Sequence, residues 1–408
     1  MGAGRVRKVG CRTKNLTRCR VVGFFCASRF GYCKECKLEK RGRNEECWCG
    51  SGKKFKKCHL GRESAEPHKS WDVSATHRKH FSKKLCSAPD VFHQQCSGSI
   101  VSAHTVPRSG SLNQIADDGH VLSFIPTLEG LIKHNGVLKP EKVGVRRAST
   151  FSGFCSTHDD GLFAPVEKDQ FVGSQEQCFL LAYRAYAREI YTKRAAAEQA
   201  ELYKEMDRGR TPDQQAEIQA FAHLHGAGID AALRDIGIHK PRFDKCLTSE
   251  DYSSVRSYII ELEEAPPVMC SGTYAPNVDF WGRQLQDLAD LALVPELMSV
   301  TSFFGGDKGQ IVFTWMAEDD RCCMALIKSL EQINDDDLSS VLVAYFFDNF
   351  ENVFASPSWW KGIGKANQDA LIQRMVGDIG VAFGIVPAVK SPFTIAPWAI
   401  SRRYRVGF

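Results

Sequence analysis

Two long stretches in the middle of the chain place apolar residues on one face of a helix. The first begins at a capping box formed by Ser174 and Gln177 and continues to about Asp207. The second begins at Pro212, because proline favours the first turn of a helix. The apolar stripes consist of Phe179, Tyr183, Tyr186 and Ile190 in the first stretch and of Ile218, Phe221, Leu224 and Ile229 in the second. This pattern predicts an antiparallel helical pair over residues 174–247.

The pattern changes near Arg256, where short apolar runs replace the helical stripes. Residues 258–262 are predicted to form a strand, and residues 302–315 to form a hairpin with a glycine-rich turn. The helices predicted after this hairpin lie near residues 321–333, 337–350 and 367–384. We therefore expect a mixed α+β domain over residues 250–408 and an α+β fold for the chain. No motif in this half indicates a function.

Charge divides the 408-residue chain into two parts of opposite sign. Residues 1–90 contain 23 lysines and arginines and 8 acidic residues, a net charge of +15, whereas the rest contains 30 and 40, a net charge of −10. Basic segments bind polyanions by releasing counterions, so the expected partners are nucleic acid, the ribosome or an acidic protein surface. The alternative is intramolecular, with the basic arm resting on the acidic body of the same chain.

Eight of the 16 cysteines lie within the first sixty residues, and nine of the 12 histidines lie at or before His158. The N-terminal segment lacks the continuous apolar run of a secretory signal. No apolar stretch approaches the roughly 18 to 20 residues of a membrane span. We therefore expect a cytoplasmic protein without membrane insertion, in which closely spaced thiols serve as metal ligands rather than as disulfides.

The strongest motif is C-x-C-x-S-x6-C-H, formed by Cys47, Cys49, Ser51, Cys58 and His59. Three thiolates and one imidazole complete a tetrahedral zinc shell with no open position, which is the arrangement of a structural site. The glycines beside Ser51 allow a tight turn, and a segment this short cannot be held by core burial alone. The motif therefore predicts a structural zinc ion that folds its own turn.

These residues, together with the run of four lysines around a phenylalanine that follows Gly52, resemble the SEC-C motif. That motif occurs at the C-terminus of the preprotein translocase ATPase and in many uncharacterised bacterial proteins. In the translocase it docks on an acidic chaperone surface and on the ribosome, so the resemblance implies a binding role. The middle of the chain also looks like bacterial SEC-C-containing proteins of unknown role.

A second set of metal-binding residue types lies between residues 80 and 170. A short strand is expected to end at His104, another near residues 119–124, and Cys155 with His158 forms a C-x2-H pair where a helix can begin. A strand that delivers a histidine, followed by a C-x2-H pair at a helix start, is similar to the HNH nuclease family and to treble-clef fingers. In this interpretation a second structural zinc is bound by Cys86, Cys96, Cys155 and His158.

The HNH resemblance implies a catalytic role for two of these residues. His104 would be the general base that activates water, and Asp159, together with His158 in one version, would hold a Mg²⁺ or Mn²⁺ ion. His158 is not expected to bind both the structural zinc and the catalytic ion. The alternative is that His104 is itself a zinc ligand, alongside Cys155, His158 and either Cys96 or Cys86. Three arginines suit phosphate contacts, namely Arg108, Arg146 and Arg147.

The chain is expected to divide into five segments. In order, these are a basic Cys-rich leader over residues 1–45, a SEC-C zinc knuckle over 46–62, an HNH-like or treble-clef region over 80–170, the helical pair over 174–247 and the α+β domain over 250–408. Cys33 and Cys36 in the leader have the spacing of a further knuckle, although an unstructured leader is the alternative. Two functions remain open, a docking module that performs no chemistry and a metal-dependent nuclease such as a bacterial defence effector.

Overall fold

The computed structural model describes residues 41–107, 111–127, 130, 133–134, 137–377 and 388–408. The predicted leader up to residue 40, with Cys33 and Cys36, lies outside these ranges, as does Arg108. The chain forms two compact units, and both are discontinuous in sequence. The described part of the first unit consists of residues 41–69 and Ala200–His225, and the second unit combines Ser70–Gln199 with Gly226–Phe408.

The described residues form both helices and an antiparallel sheet, which makes the fold α+β. The helices are α1 Ser70–His80, α2 Ser111–Gln114, α3 Ser156–Leu162, α4 Ala164–Glu167, α5 Gln175–Glu205, α6 Pro212–Ser249, α7 Asp320–Leu330, α8 Asp335–Asn349, α9 Pro357–Gly362 and α10 Gly364–Gly377. The strands are β1 Ile100–His104, β2 His120–Ser123, β3 Glu141–Gly144, β4 Thr150–Cys155, β5 Val255–Leu262, β6 Val268–Tyr274, β7 Met298–Gly305, β8 Lys308–Met316, β9 Val353–Ala355 and β10 Ile400–Val406. Short 3₁₀ helices cover Phe55–Lys57, Arg62–Ser64, Asp90–Gln95, Ala317–Asp319 and Ala388–Lys390. None of the helices in these ranges combines the length and the hydrophobicity of a membrane span.

Eight of the strands form one antiparallel sheet in the second unit, in the order β10-β5-β8-β7-β6-β9-β2-β3. Its centre is the hairpin of β7 and β8, which turns through Gly306 and Asp307, both with positive φ. Positive φ at both central residues is the geometry of a two-residue type I′ turn, whose twist matches that of the flanking strands. The remaining strands, β1 and β4, pair with each other in a separate two-stranded sheet.

Both faces of the large sheet are buried, and the pleat assigns successive residues to opposite cores. Ile259 and Val312 belong to the core that contains α5 and α6, whereas Ile260 and Phe313 belong to the core that contains α7 and α8. Side chains of a strand point alternately to the two faces, which explains why these strands read as continuous apolar runs. Full burial of a side chain such as Phe313 contributes about 1.5 to 3 kcal/mol to stability.

The helical pair predicted from the sequence is confirmed. The backbone N–H of Gln177 donates to Ser174 Oγ (3.1 Å) at the start of α5. At the start of α6 Thr211 and Gln214 form a reciprocal capping box, with N···O distances of 3.2 and 3.4 Å. The helices run antiparallel, since Tyr186 near the beginning of α5 stacks on Phe243 near the end of α6, with ring centroids 4.7 Å apart.

The predicted elements of the C-terminal half are also present. The strand at 258–262 lies within β5, the hairpin is β7 and β8, and the first two predicted helices correspond to α7 and α8. The third corresponds to α10 up to Gly377, and its predicted continuation to residue 384 lies outside the described residues. Trp360 packs on its own unit, with its ring stacked on Phe347. The large sheet joins β2 and β3, from the region 80–170, to strands of the region 250–408. The five segments remain predictions as domains.

Candidate metal centres

The first metal group, Cys47, Cys49, Cys58 and His59, is built by a hairpin-like turn in the first unit. An isolated bridge between Glu46 and Lys54 closes this turn, and the backbone N–H of Cys47 donates to the Lys53 carbonyl oxygen (2.8 Å). Gly50 and Gly52 have φ of 74° and 68°, the left-handed region in which glycine carries no steric penalty. The 3₁₀ helix Phe55–Lys57 then returns the last two ligands to the first two.

The four ligand atoms of this group converge on one point. His59 Nδ1 lies 3.1 Å from Cys47 Sγ and 3.2 Å from Cys58 Sγ, and the Sγ atoms of Cys49 and Cys58 are 3.5 Å apart. All four atoms lie within 4.8 Å of one another. A tetrahedral ion with metal–sulfur bonds of about 2.3 Å and metal–nitrogen bonds of about 2.0 Å separates its ligands by roughly 3.5 Å. The group therefore fits a four-coordinate metal ion.

The thiols of this group have strongly perturbed pKa values. Burial raises the pKa of Cys47 to about 12. Burial acts in the same direction on Cys49, but the neighbouring His59 imidazole and Ser51 hydroxyl outweigh it and bring the pKa of Cys49 down to about 6. The lowered pKa of Cys49 favours its thiolate, which is the form that binds metal. The hydroxyl oxygen of Ser51 also lies 3.3 Å from Cys58 Sγ.

Asp207 is the residue of this site that sequence analysis missed. Its Oδ2 accepts a hydrogen bond from His59 Nε2 (2.7 Å) across 148 positions of sequence, and its side chain is fully buried. Arg62 and Gln219 donate to the same carboxylate, at 2.5 and 2.7 Å. Burial opposes the charged form of Asp207, but these three donors hold its pKa below the usual range. In turn, burial lowers the pKa of His59, but the bond to Asp207, together with the neighbouring thiols of Cys49 and Cys58, outweighs burial and raises that pKa to about 10.

The second metal group, Cys86, Cys96, Cys155 and His158, lies in the second unit and is built on the small sheet. Cys155 is the last residue of β4, and His158 lies in the first turn of α3. The segment that carries Cys86 runs beside β4, where the backbone N–H groups of Leu85 and Ser87 donate to the carbonyl oxygens of Ser152 and Gly153. Antiparallel pairing of β1 with β4 supports this segment from the other side.

The ligand atoms of the second group also converge. His158 Nδ1 lies 3.3 Å from the Sγ atoms of Cys86 and Cys155 and 3.5 Å from that of Cys96. Burial raises the pKa of Cys155, but the backbone N–H groups of His158 and Ser97 and nearby side chains lower it to about 7. Unlike His59, His158 has a buried Nε2 without a hydrogen-bond partner among the described residues. Two separate Cys3His groups can therefore each hold a metal ion.

The two residues predicted to be catalytic lie near the second group but outside it. His104 ends β1, half-buried and opposite Thr150, and is not among the four converging ligands. Asp159 follows His158 and forms an ion pair with the buried Arg184 (3.5 Å). Burial raises the pKa of Asp159 against the opposing charge of that arginine. The catalytic roles of His104 and Asp159 remain predictions.

Comparison with known proteins supports the first metal group. The SEC-C motif model matches residues 43–61, so the chain carries a SEC-C motif. This chain is 81% identical to the protein translocase subunit SecA of three Pseudomonas putida strains over 21 residues, which is 5% of the chain. The chain spans only 2% of the length of these curated relatives. No solved structure matches the chain.

Proposed function

We propose that the protein is a cytoplasmic zinc-binding protein that docks on a polyanionic partner through its SEC-C knuckle, residues 46–62. Zinc is the metal best suited to three thiolates and one imidazole in a closed tetrahedral shell. None of the 11 described cysteines forms a disulfide, which supports a reducing compartment. Cell fractionation tests the location, and recovery of the protein outside the cytoplasm contradicts it.

Four lysines of the knuckle carry the docking proposal. Lys53, Lys54, Lys56 and Lys57 all lie on the exposed side of the metal turn. None of them forms an ion pair within the described part of the chain. A fixed turn that displays four uncompensated ammonium groups attracts a polyanion by counterion release. Nucleic acid, as such or in the ribosome, is the favoured partner because its phosphates carry condensed counterions whose release drives binding. An acidic protein face is the competing outcome.

Binding to fluorescently labelled RNA, DNA and polyglutamate of matched length, measured by anisotropy at several salt concentrations, tests this proposal. We expect nucleic acid to bind more tightly than polyglutamate. Changing the four lysines to glutamine removes about four phosphate contacts. The plot of log K against log salt should therefore become less steep, with a slope smaller in magnitude by roughly 3 to 4. The matched control changes four exposed lysines elsewhere in the described chain, namely Lys139, Lys142, Lys361 and Lys390. Equal binding by the two quadruple variants contradicts the proposal.

A metal-dependent nuclease is the second candidate function, favoured by the local architecture around His104. Strand β1 ends at this histidine, pairs antiparallel with β4, and β4 leads directly into α3. The four ligand atoms of the second metal group come from side chains other than His104. The ion pair between Asp159 and Arg184 weighs against Asp159 as a ligand of Mg²⁺ or Mn²⁺.

Incubation of the full chain with DNA and RNA in Mg²⁺ or Mn²⁺ tests the nuclease. Cleavage that is lost in His104→Ala and kept in His120→Ala, an exposed histidine of β2, supports it. Cleavage that survives His104→Ala contradicts a role for His104 as the base. Loss of zinc on the same change makes His104 a structural residue of the second group.

A further inference from the structure

We infer that Asp207 is a positioning residue for the first metal group, because it fixes His59 with Nδ1 turned toward the three sulfurs. Asp207 lies outside the 43–61 motif and reaches the site from the turn between α5 and α6. His59 and Asp207 are both almost completely shielded from solvent, with side-chain exposures of 3% and 0%. Asp207 has this role only if the group binds metal, which is part of the function proposed above.

The hydrogen bond selects one tautomer of the imidazole. The carboxylate can only accept, so His59 Nε2 carries the proton that it shares with Asp207 at 2.7 Å. In the neutral ring that binds metal, the lone pair therefore resides on Nδ1, which faces Cys47 Sγ and Cys58 Sγ at 3.1 and 3.2 Å. A carboxylate behind a metal-binding histidine fixes the ring and makes it a better ligand. Without Asp207 this hydrogen bond no longer restricts the orientation of the ring.

Asp207 is itself held on both oxygens by side chains other than His59. Arg62 Nε donates to Oδ1 at 2.5 Å, and Gln219 Nε2 donates to Oδ2 at 2.7 Å. Arg62 also donates to the Lys204 carbonyl oxygen, as does Gln219. These bonds connect Arg62, which directly follows the motif, with Lys204 at the end of α5 and Gln219 in α6. The carboxylate is therefore part of a connected polar network rather than a side chain that meets His59 by chance.

The backbone of the same turn is fitted to the knuckle. The N–H of Gly209 donates to the Arg62 carbonyl oxygen (3.0 Å), and Gly209 has a φ of 70°. A Cβ at this position would lie 2.8 Å from the Ala65 carbonyl oxygen and 2.6 Å from the Pro67 ring. Only glycine combines this backbone angle with so close an approach. The contact that presents Asp207 to His59 is thus built into two distant segments of the chain.

Zinc transfer to a chromogenic chelator tests the assignment. The proteins are the full wild-type chain, Asp207→Ala, Asp207→Asn and Glu205→Gln. Asp207→Asn keeps the shape and an oxygen that accepts from Nε2, but not the charge. Glu205→Gln is the matched control, because Glu205 is a nearby carboxylate that also pairs with Arg62 (3.2 Å). The Co²⁺ forms are examined in parallel, since their visible absorption reports the coordination geometry.

We expect Asp207→Ala to release one of two zinc equivalents about 10 to 100 times faster than wild type. The rate of zinc release from Asp207→Asn should lie between those of wild type and Asp207→Ala, and the rate from Glu205→Gln should match wild type. The Co²⁺ bands of the faster site should shift in Asp207→Ala and recover in Asp207→Asn. Wild-type release by both Asp207 variants overturns the assignment, and so does equal acceleration of both equivalents, which reports general unfolding. Nucleic-acid binding is measured separately, so failure of docking leaves this result interpretable.

Discussion

The side chain of His223 on α6 donates a hydrogen bond from Nε2 to the carbonyl oxygen of Cys49, inside the turn that carries the first metal group. One turn earlier on the same helix, Gln219 bonds to Asp207. The face of α6 that carries these two side chains therefore rests on the metal turn. Occupancy of the first metal group should order the end of α5 and the start of α6 as well as the motif itself.

Cys47→Ser, which removes a ligand of the first group, is predicted to speed amide hydrogen exchange in residues 45–61 and in Ala200–His225. Without a bound metal a turn this small has too little buried area to remain folded, and the bonds through Asp207 and His223 lose their partner. Hydrogen-exchange mass spectrometry on the full chain measures this. Cys178→Ser, at a fully buried cysteine outside both groups, is the control. Unchanged exchange in Ala200–His225 would show that the helices are ordered without the metal turn.

Cys155→Ser is predicted to remove one zinc equivalent and to destabilise the second unit by about 4 kcal/mol or more, because loss of a structural metal is among the largest effects of a single substitution. Cys155 ends β4, so the pairing of β1 with β4 should weaken with it. Denaturant unfolding of the zinc-loaded proteins gives the difference. Cys246→Ser, at a buried cysteine of α6 that is not a ligand, should cost only about 1 to 2 kcal/mol. Equal losses in the two variants would argue that the second group holds no structural metal.

The contribution of Asp319 to stability is predicted to fall as pH rises from about 4 to about 6. Burial raises the pKa of Asp319 to about 6, against the opposing charge of Arg242, from an ordinary value of 3.8. Between these two values the folded chain binds more protons than the unfolded chain, so the free energy of unfolding decreases with pH, by roughly 2 to 3 kcal/mol in total. The cost is complete above the folded pKa and absent below the unfolded one.

Urea unfolding of wild type and Asp319→Asn at pH 4, 5, 6 and 7 isolates this contribution. Any loss of metal at low pH is common to both proteins and cancels in the difference between them. The free energy of unfolding of Asp319→Asn should increase relative to that of wild type as the pH rises, because asparagine does not ionise. A difference that is constant across the four pH values would mean that Asp319 titrates normally.

Local sequence was sufficient to predict the helices and the ligands that lie close together. The four residues of the first group fall within thirteen positions, and their spacing alone specifies a closed shell. The C-x2-H pair of the second group was predicted to lie at the start of a helix, and His158 does lie in the first turn of α3. The cap residues Ser174 and Thr211 likewise determined where α5 and α6 start.

Long-range contacts were beyond the reach of the sequence patterns. Asp207 looked like the last residue of a helix, and no spacing rule connects it to His59, 148 positions earlier. The same holds for the sheet, in which β2 pairs with β9 through Leu122 opposite Ala355. Such pairings depend on which buried faces fit each other in three dimensions, whereas hydrophobic periodicity reports only the face that is buried.

Zinc content of the purified full chain, measured by elemental analysis, tests the central claim most directly. Two equivalents per chain are predicted, with Cys47→Ser and Cys155→Ser each retaining one and the double variant retaining none. A third equivalent that persists in the double variant would assign metal binding to the cysteines before residue 41. A wild-type chain that carries no zinc, or one whose zinc content is unchanged by both substitutions, would contradict metal binding by the two groups.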